Sequence, residues 1–179
     1  MRPSRTTAVN KLRELKQRTK IIRGGSSAGK TIAILCILID YAIRNKNKEI
    51  SVVAESIPHL RRGALKDFLS IMRGVNRYKE KQFNRSTLKY EFVSGSYIEF
   101  FSTDQPDKLR GARRTDLYIN ECNNVPFSSY QELAIRTSET VWLDYNPTSL
   151  FWVDKELVDQ PDTDFITLTY KDNEALPES

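Results

Sequence analysis

The sequence has few of the residues that build metal centres and disulfide frameworks. Its 179 residues include one histidine, His59, and two cysteines, Cys36 and Cys122, which are far apart in the chain. A single histidine excludes a histidine-rich zinc site, and it leaves His59 alone to build a Ser-His-Asp triad. Two distant cysteines without a C-x-x-C pair indicate a chain that folds without disulfide bonds in a reducing cytosol.

Long apolar runs are also missing. No apolar run reaches about 18 residues, so the sequence predicts no transmembrane helix and no membrane partner. The basic amino terminus has no apolar h-region, which excludes a secretory signal. With 39% hydrophobic and 28% charged residues, the composition is that of one globular domain with one core.

Charge of one sign is concentrated in particular stretches. Residues 1–20 contain seven lysines and arginines and one acid, and residues 60–90 contain nine against two. Residues 144–179 reverse the balance, with nine acids against two lysines. The basic stretches favour a polyanion such as nucleic acid as a partner over a merely solvated basic surface.

The pattern of apolar residues predicts an α/β fold with a mostly parallel central sheet flanked by helices. A strand over 19–25 precedes an apolar helix over 29–46, and a strand over 49–56 precedes a helix over 58–74. This alternation is typical of parallel sheets with right-handed crossovers. The other predicted elements are a basic helix over 8–18, an inserted β-hairpin near 86–103, a loop over 104–115, strands over 116–122, 140–147 and 164–170, and helices over 126–138 and 149–159.

The stretch RGGSSAGKT, residues 23–31, matches the phosphate-binding loop G-x-x-x-x-G-K-[ST]. In such a loop the backbone N–H groups cradle phosphates, the lysine reaches the β- and γ-phosphates, and the hydroxyl ligates Mg²⁺. The lysine role falls to Lys30 and the Mg²⁺ role to Thr31. The predicted nucleotide-binding residues are Gly24, Gly25, Ser26, Ser27, Ala28, Gly29, Lys30 and Thr31.

A second nucleotide segment is DLYINE, residues 116–121, an apolar strand that ends in an acid. Glu121 is the predicted catalytic carboxylate, which orients or deprotonates the attacking water. Asn120 stands where an aspartate is usual, so it brings no charge to a Mg²⁺ site. We expect Asn120 and Glu121 to reach Mg²⁺ through water, with either a weakened Mg²⁺ affinity or part of the task passed to Glu121.

The nucleotide class follows from the order of these segments. The strand over 49–56 comes between the loop and the acidic strand in the sequence, which favours the ASCE class of P-loop proteins, with an additional strand and a catalytic glutamate. The chain has no N-K-x-D guanine reader, so adenine is the favoured base. ATP and Mg²⁺ are the predicted cofactors.

Four segments together resemble the large terminase subunit of tailed bacteriophages, the ATPase that packages DNA into the capsid. They are RGGSSAGKT, KLRGARRTDLYINECNNV, VWLDYNP and LTYKDNEALP, and the resemblance spans about residues 20–178. It implies a RecA-like ASCE ATPase domain over 19–179 after a basic helical segment over 1–18. ATP hydrolysis would then drive translocation of double-stranded viral DNA into a procapsid.

The same resemblance implies further site residues. The arginine that a neighbouring subunit inserts into the ATP site corresponds to Arg110, with Arg113 and Arg114 as alternatives. The DYNP stretch corresponds to the coupling segment, in which Asn146 would sense the γ-phosphate. The stretch 170–173 corresponds to the segment leading into the lid, near the nucleotide.

Three other positions relate less directly to the family pattern. An adenine-contacting glutamine upstream of the loop corresponds to Gln17. Some members carry an arginine inside the loop four positions before the lysine, and this chain has Ser26 there. Arg23 lies just outside the loop, and its role stays open.

The implied partners are those of a packaging motor. They are double-stranded DNA, the portal protein, the small terminase subunit and further copies of the chain in a ring, usually pentameric, with a monomer expected in isolation. The implied location is the host cytoplasm, at the procapsid portal. The acids of 144–179 are spread over helix and loop, so we expect no nuclease domain in this chain.

Other functions fit parts of the sequence. A helicase or another ASCE ATPase would share the basic charge and the phosphate loop. A P-loop small-molecule kinase would need a mobile arginine-rich lid, which only KLRGARR approaches. A non-catalytic nucleic-acid-binding module with a decayed loop is supported by Asn120 and opposed by the intact Gly29, Lys30, Thr31 and Glu121.

Overall fold

One sheet of eight strands runs through the computed structural model, which describes residues 5–174. The strands are β1 (Thr19–Gly24), β2 (Glu49–Ala54), β3 (Phe83–Asn84), β4 (Lys89–Glu91), β5 (Tyr97–Ser102), β6 (Arg114–Ile119), β7 (Thr137–Tyr145) and β8 (Thr163–Leu168). Their order in the sheet is β3-β4-β5-β2-β6-β7-β1-β8. The six strands from β5 to β8 in this order are parallel, and β3 and β4 pair antiparallel at one edge.

Helices cover both faces of the sheet. They are α1 (Thr7–Arg13), α2 (Lys30–Arg44), α3 (Ile57–Arg62), α4 (Ala64–Gly74), α5 (Pro106–Arg110), α6 (Phe127–Ala134) and α7 (Trp152–Glu156). Helices α1 to α4 form one apolar core with strand residues such as Ile22, and α5 to α7 form a second with residues such as Ile21. Neighbouring strand residues enter different cores because their side chains alternate between the faces. This three-layer α/β architecture confirms the predicted fold class.

Helix α2 is the most apolar element of the first core. By length and composition, Ser26–Arg44 could cross a membrane, which the search for uninterrupted apolar runs does not predict. Within this stretch, Ile34, Leu35 and Leu38 are almost fully buried, and α2 packs against α1, α4 and the sheet. A helix buried on several sides in a protein core has the same composition, and this packing accounts for it.

The predicted helix over 58–74 is two helices, α3 and α4. They are separated at Gly63, whose φ of −107° and ψ of −108° are not helical. A Cβ at this position would lie 3.4 Å from Asn120 Oδ1 and 3.2 Å from the carbonyl oxygen of His59. The break therefore lies where α3 approaches the end of β6, a tertiary contact that periodicity does not report.

The predicted hairpin is present, but it is not an insertion. Strands β4 and β5 pair antiparallel, while β5 also pairs in parallel with β2 and belongs to the central sheet.

The predicted loop over 104–115 contains α5 and the start of β6. Several predicted helices are longer than the observed ones, and α7, for example, spans Trp152–Glu156 and not 149–159. The basic helix ends at Arg13, and the backbone N–H groups of residues 16–17 are bound to Asp164. Helix α6 ends at Ala134, shortly before β7 begins to pair with β6.

The order of the strands positions the candidate site. In space β7, and not β2, lies between β1 and β6. Because these three strands are parallel, their carboxyl ends meet at one edge of the sheet. That edge carries the loop after Gly24, the residues after Ile119 and the end of β7, so the phosphate-binding and acidic segments converge there.

Two adjacent glycines at the end of β1 differ in the space around them. A Cβ on Gly24 would lie 2.3 Å from the carbonyl oxygen of Leu168 on β8, whereas a Cβ on Gly25 would meet nothing within 4 Å. The backbone of Leu168 cannot withdraw without breaking the β1–β8 pairing, in which Gly24 is opposite Leu168. Gly24 is therefore required by packing, independently of any phosphate.

We predict that Gly24→Ala lowers the free energy of unfolding by about 1–3 kcal/mol, the usual cost of overpacking. Gly25→Ala is the matched control, because Gly25 has a φ of −66° that alanine adopts without strain. Urea denaturation of the two variants measures the difference. Equal stability of both variants would contradict the steric account.

Candidate functional site

The connection between β1 and α2, residues 24–31, is called the phosphate loop here. A short 3₁₀ turn spans Ser26–Ala28, and Gly29 has a φ of +69°, a conformation that glycine adopts without strain. Helix α2 then begins at Lys30 and runs for 15 residues. The loop thus delivers several backbone N–H groups and a helix amino terminus to one place, which is an arrangement suited to phosphate.

The phosphate loop is covered on one side by a segment from the end of the described chain. Asn173 donates from Nδ2 to the carbonyl oxygen of Ser27 at 3.1 Å. A Cβ on Gly29 would lie 2.9 Å from Asn173 Cγ and would require that side chain to shift, and the positive φ of Gly29 would strain any larger residue. The segment 170–173, expected near the nucleotide, is thereby located beside the loop.

Lys30 is the buried cation of the loop. Its side chain is 5% exposed, and Nζ donates to the carbonyl oxygens of Gly24 at 2.7 Å and Gly25 at 3.0 Å and to Asn146 Oδ1 at 2.7 Å. Burial lowers the pKa of the Lys30 ammonium, and the negative charges of Asp144 and Glu121 oppose that shift. The three hydrogen-bond acceptors and the two nearby carboxylates stabilise the charged form of Lys30.

Asn146 connects the end of β7 to the loop. Besides accepting from Lys30, it donates from Nδ2 to Ser26 Oγ at 3.3 Å. Its amide therefore contacts the loop at two positions, one on each side of Gly29. The structure brings this predicted sensor residue into direct contact with the predicted catalytic lysine.

A buried carboxylate, Asp144, lies beneath this contact and is not among the residues that the motifs single out. It is 1% exposed, and its Oδ1 accepts from Tyr118 Oη at 2.9 Å, Asn120 Nδ2 at 3.1 Å and the backbone N–H of Glu121 at 3.0 Å. Burial raises the pKa of Asp144, and these donors together with Lys30 oppose the rise. Its period-two spacing from Asn146 is the available sequence signal, since alternate strand residues share a face.

The residues after β6 adopt a special backbone conformation. Glu121 has a φ of +51°, which is uncommon and strained for a residue with a side chain, and such residues cluster at functional sites. Its Oε2 lies 2.8 Å from Nε2 of His59, which α3 carries across the end of β6. The lone histidine thus holds the predicted catalytic carboxylate, a contact that no motif indicates.

The donor set at this edge fits magnesium. A cleft of about 150 Å³ is bordered by Lys30 and by six oxygen-bearing side chains, Ser26, Thr31, Asp67, Glu121, Asp144 and Asn146. Hydroxyl, carboxylate and amide oxygens suit this hard cation, which usually takes few protein ligands beside phosphate oxygens and waters. Within residues 5–174 no group of three or more His, Cys, Asp and Glu could hold a metal alone. A site completed by nucleotide phosphates agrees with both observations.

Comparison with known protein families agrees with a phosphate-binding site. A sequence model for the phage terminase large subunit matches residues 16–179. The chain belongs to the phage terminase large subunit family. No curated protein sequence matches it.

Solved structures of other terminases share the fold. The large terminase of a thermophilic bacteriophage superposes with a TM-score of 0.80 at 18% identity, covering 96% of this chain and 46% of that one. The ATPase domain of the Thermus phage P74-26 large terminase gives a TM-score of 0.71 at 16% identity, covering 89% and 79%. This terminase chain thus has the P-loop ASCE fold of those ATPase domains, and it spans about half the length of the first of the two proteins.

The first of these terminases has also been solved with nucleotides. Its complex with ADP gives a TM-score of 0.77 at 18% identity and covers 96% of this chain and 46% of that one. A complex with ATP-γ-S superposes equally well. At this identity both comparisons establish the fold alone.

The three arginines proposed for action in trans differ in exposure. Arg110 and Arg113 are exposed, whereas Arg114 is 3% exposed. Arg114 donates to Ser51 Oγ at 2.9 Å and to the carbonyl oxygens of Leu133 and Ala112. A side chain held by three acceptors inside its own subunit cannot reach a neighbour, so the structure removes Arg114 from the candidates.

Gln17 is the second correction. It precedes β1 at the amino edge of the sheet, and a six-residue strand separates it from the phosphate loop by about 20 Å. Its backbone N–H is bound to Asp164 Oδ2 at 2.7 Å. The expected adenine contact is therefore wrong for the described structure.

Arg23, by contrast, lies beside the loop, with its guanidinium 5.2 Å from the ring centre of Phe165.

We predict that Arg114→Ala lowers the free energy of unfolding of this terminase chain by about 2–3 kcal/mol, because charge-assisted hydrogen bonds to buried acceptors are lost. Arg113→Ala is the matched control and changes stability by less than about 0.5 kcal/mol, as exposed substitutions do. Urea denaturation compares them. Equal unfolding midpoints would show that Arg114 has no structural role.

Proposed function

We propose that this terminase chain hydrolyses ATP to ADP and phosphate with Mg²⁺ at the phosphate loop. The observation that carries the proposal is the meeting of Lys30, Glu121 and Asn146 at one cleft, each supplied by the end of a different strand or its following loop. A buried cation, a carboxylate and a polar sensor around a phosphate loop are the parts that nucleotide hydrolysis requires.

The loop residues bind and orient the triphosphate. Backbone N–H groups of residues 24–31 face the phosphates, and Lys30 exchanges its carbonyl partners for β- and γ-phosphate oxygens. Thr31 Oγ1 and the carboxylates of the cleft would hold Mg²⁺ directly or through water. When bound, Mg²⁺ neutralises charge that develops on the phosphate oxygens.

Glu121 acts on the attacking water. In this role it orients the water and accepts its proton as the oxygen attacks the γ-phosphorus. His59, 2.8 Å away, fixes the carboxylate as a positioning residue. Asn146 reports the state of the γ-phosphate, since its amide contacts both Lys30 and Ser26.

The active site is completed by a neighbouring subunit. Arg110 and Arg113 are exposed, and Gly111 and Arg113 share a groove with Glu49 and Thr137, the first residues of β2 and β7. That groove is at the amino edge of the sheet, opposite the chain's own phosphate loop. Arg113 in that groove can serve only another subunit's site. Arg110, which the family pattern assigns as the trans residue, is exposed at the end of α5 and is equally open to a neighbouring subunit in a ring.

The hydrolysis is proposed to drive double-stranded DNA into a procapsid. Family membership supports this, as does the exposed basic surface formed by Arg61, Arg62, Lys66 and Arg73 on α3 and α4. The proposed assembly is a homo-oligomeric ring, pentameric as is usual in the family, at the portal protein in the host cytoplasm, together with the small terminase subunit. Family membership favours this function over the helicase and the small-molecule kinase.

We predict that Lys30→Ala and Glu121→Gln each lower ATP turnover by about 10²-fold or more, because phosphate binding or proton transfer is lost. A coupled assay for ADP release measures turnover. Lys46→Ala and Glu91→Gln are matched controls on exposed residues and should leave it unchanged. Full turnover by Glu121→Gln would overturn the role of Glu121.

The same assay tests action in trans. Turnover per chain should rise with protein concentration, and Arg110→Ala should abolish the rise. Mixing Arg110→Ala with Lys30→Ala should restore part of the activity, because a Lys30→Ala subunit still donates its arginine to an intact loop. Turnover that is independent of concentration and unaffected by Arg110→Ala would contradict the shared site, and a loss with Arg113→Ala alone would reassign the arginine.

A further inference from the structure

We infer that Asp144 supplies, from the neighbouring strand, the metal-site carboxylate that Asn120 lacks. The inference rests on the proposed ATP site. The negative charge near Thr31 then comes from Asp144 on β7, because the residue that follows β6 is Asn120, whose amide is neutral.

The register of the sheet places the two residues side by side. Ile119 on β6 pairs with Leu143 on β7, so the next residues, Asn120 and Asp144, are neighbours across the strands. On the other side Asp144 pairs with Ile22 of β1, two residues before the phosphate loop. A carboxylate at 144 therefore lies between the loop and the acidic segment.

Hydrogen bonds join this carboxylate to the Mg²⁺-binding hydroxyl. Asn120 Nδ2 lies 3.1 Å from Asp144 Oδ1 and 3.3 Å from Thr31 Oγ1. The three donors to Asp144 all use Oδ1, so its second oxygen is not engaged by them. Asp144 also borders the cleft that contains Thr31 and Glu121. Its charge is thus fixed in orientation at the place where the metal would bind.

The two positions tolerate one carboxylate between them. An aspartate at 120 would bring a second carboxylate to about 3 Å from Asp144, and two carboxylates at such a distance cannot both ionise. An asparagine that donates to Asp144 is the neutral complement. The presence of Asp144 therefore explains Asn120, and the departure from the usual pattern is a relocation of charge and not a loss.

The test exchanges the two residues in the full chain. The variants are Asp144→Asn, Asn120→Asp and the double exchange, and calorimetry measures the ATP-γ-S dissociation constant with Mg²⁺ and with EDTA. The readout is the dissociation constant with EDTA divided by that with Mg²⁺, which we call the Mg²⁺ ratio. It reports the metal's contribution to binding independently of turnover. Asp116→Asn is the control, because Asp116 is a 2% exposed aspartate near the opposite end of β6, bonded to Thr140 and Thr115.

We expect Asp144→Asn to reduce the Mg²⁺ ratio by about tenfold or more, the usual scale for residues that support a metal. The double exchange should restore the ratio to within about threefold, a partial recovery on that scale, while Asp116→Asn keeps it. Urea denaturation run in parallel identifies any variant that fails to fold.

A folded Asp144→Asn with an unchanged Mg²⁺ ratio would overturn the inference and leave the ATPase proposal standing. A folded double exchange that stays as insensitive to Mg²⁺ as Asp144→Asn would also overturn it, since charge at 120 would then not substitute for charge at 144. Absence of nucleotide binding by the unsubstituted chain would overturn both proposals.

Discussion

The placement of the Lys30 ammonium at the carboxyl edge of a parallel sheet is the interaction on which the rest of the site depends. A buried cation needs acceptors and a compensating charge. The loop carbonyls and Asn146 provide the acceptors, and Asp144 provides charge from the same strand as Asn146. Because β7 pairs with β1, it brings both side chains beneath the loop.

The same loop is tied to both ends of the described chain. Asn173 lies over Gly29, and the neighbouring Asp172 binds Lys11 of α1 at 2.7 Å. Glu174 accepts from the backbone N–H of Thr7 at 3.0 Å. Residues 172–174 therefore join the phosphate loop to α1. The basic amino-terminal helix is part of the structural unit that surrounds the loop and not a separate appendage.

Local sequence patterns predict the parts of the site that depend on short stretches. The phosphate loop follows from the spacing of Gly24, Gly29 and Lys30, and the acidic strand from a run of apolar residues before Glu121. Residues that depend on which strands are neighbours are not predictable in this way. Asp144 and His59 reach the site through strand order and through the break at Gly63, which periodicity does not encode.

The wrong predictions have the same origin. The sequence groups Arg114 with exposed arginines because it does not show that β6 begins there and draws the side chain beneath Leu133. Gln17 is a candidate by its position upstream of the loop, but a six-residue strand carries it to the opposite edge of the sheet. In both cases distance along the chain misrepresents distance in the fold.

A crystal structure of this chain with Mg²⁺ and ATP-γ-S is the most direct test of the central claim, that the edge around Lys30 is a nucleotide site. We expect the triphosphate to lie against the backbone of residues 24–31, with Lys30 Nζ on a phosphate oxygen and the metal on the side of Thr31 and Asp144. A nucleotide bound elsewhere, with Lys30 still held by the carbonyl oxygens of Gly24 and Gly25, would contradict it.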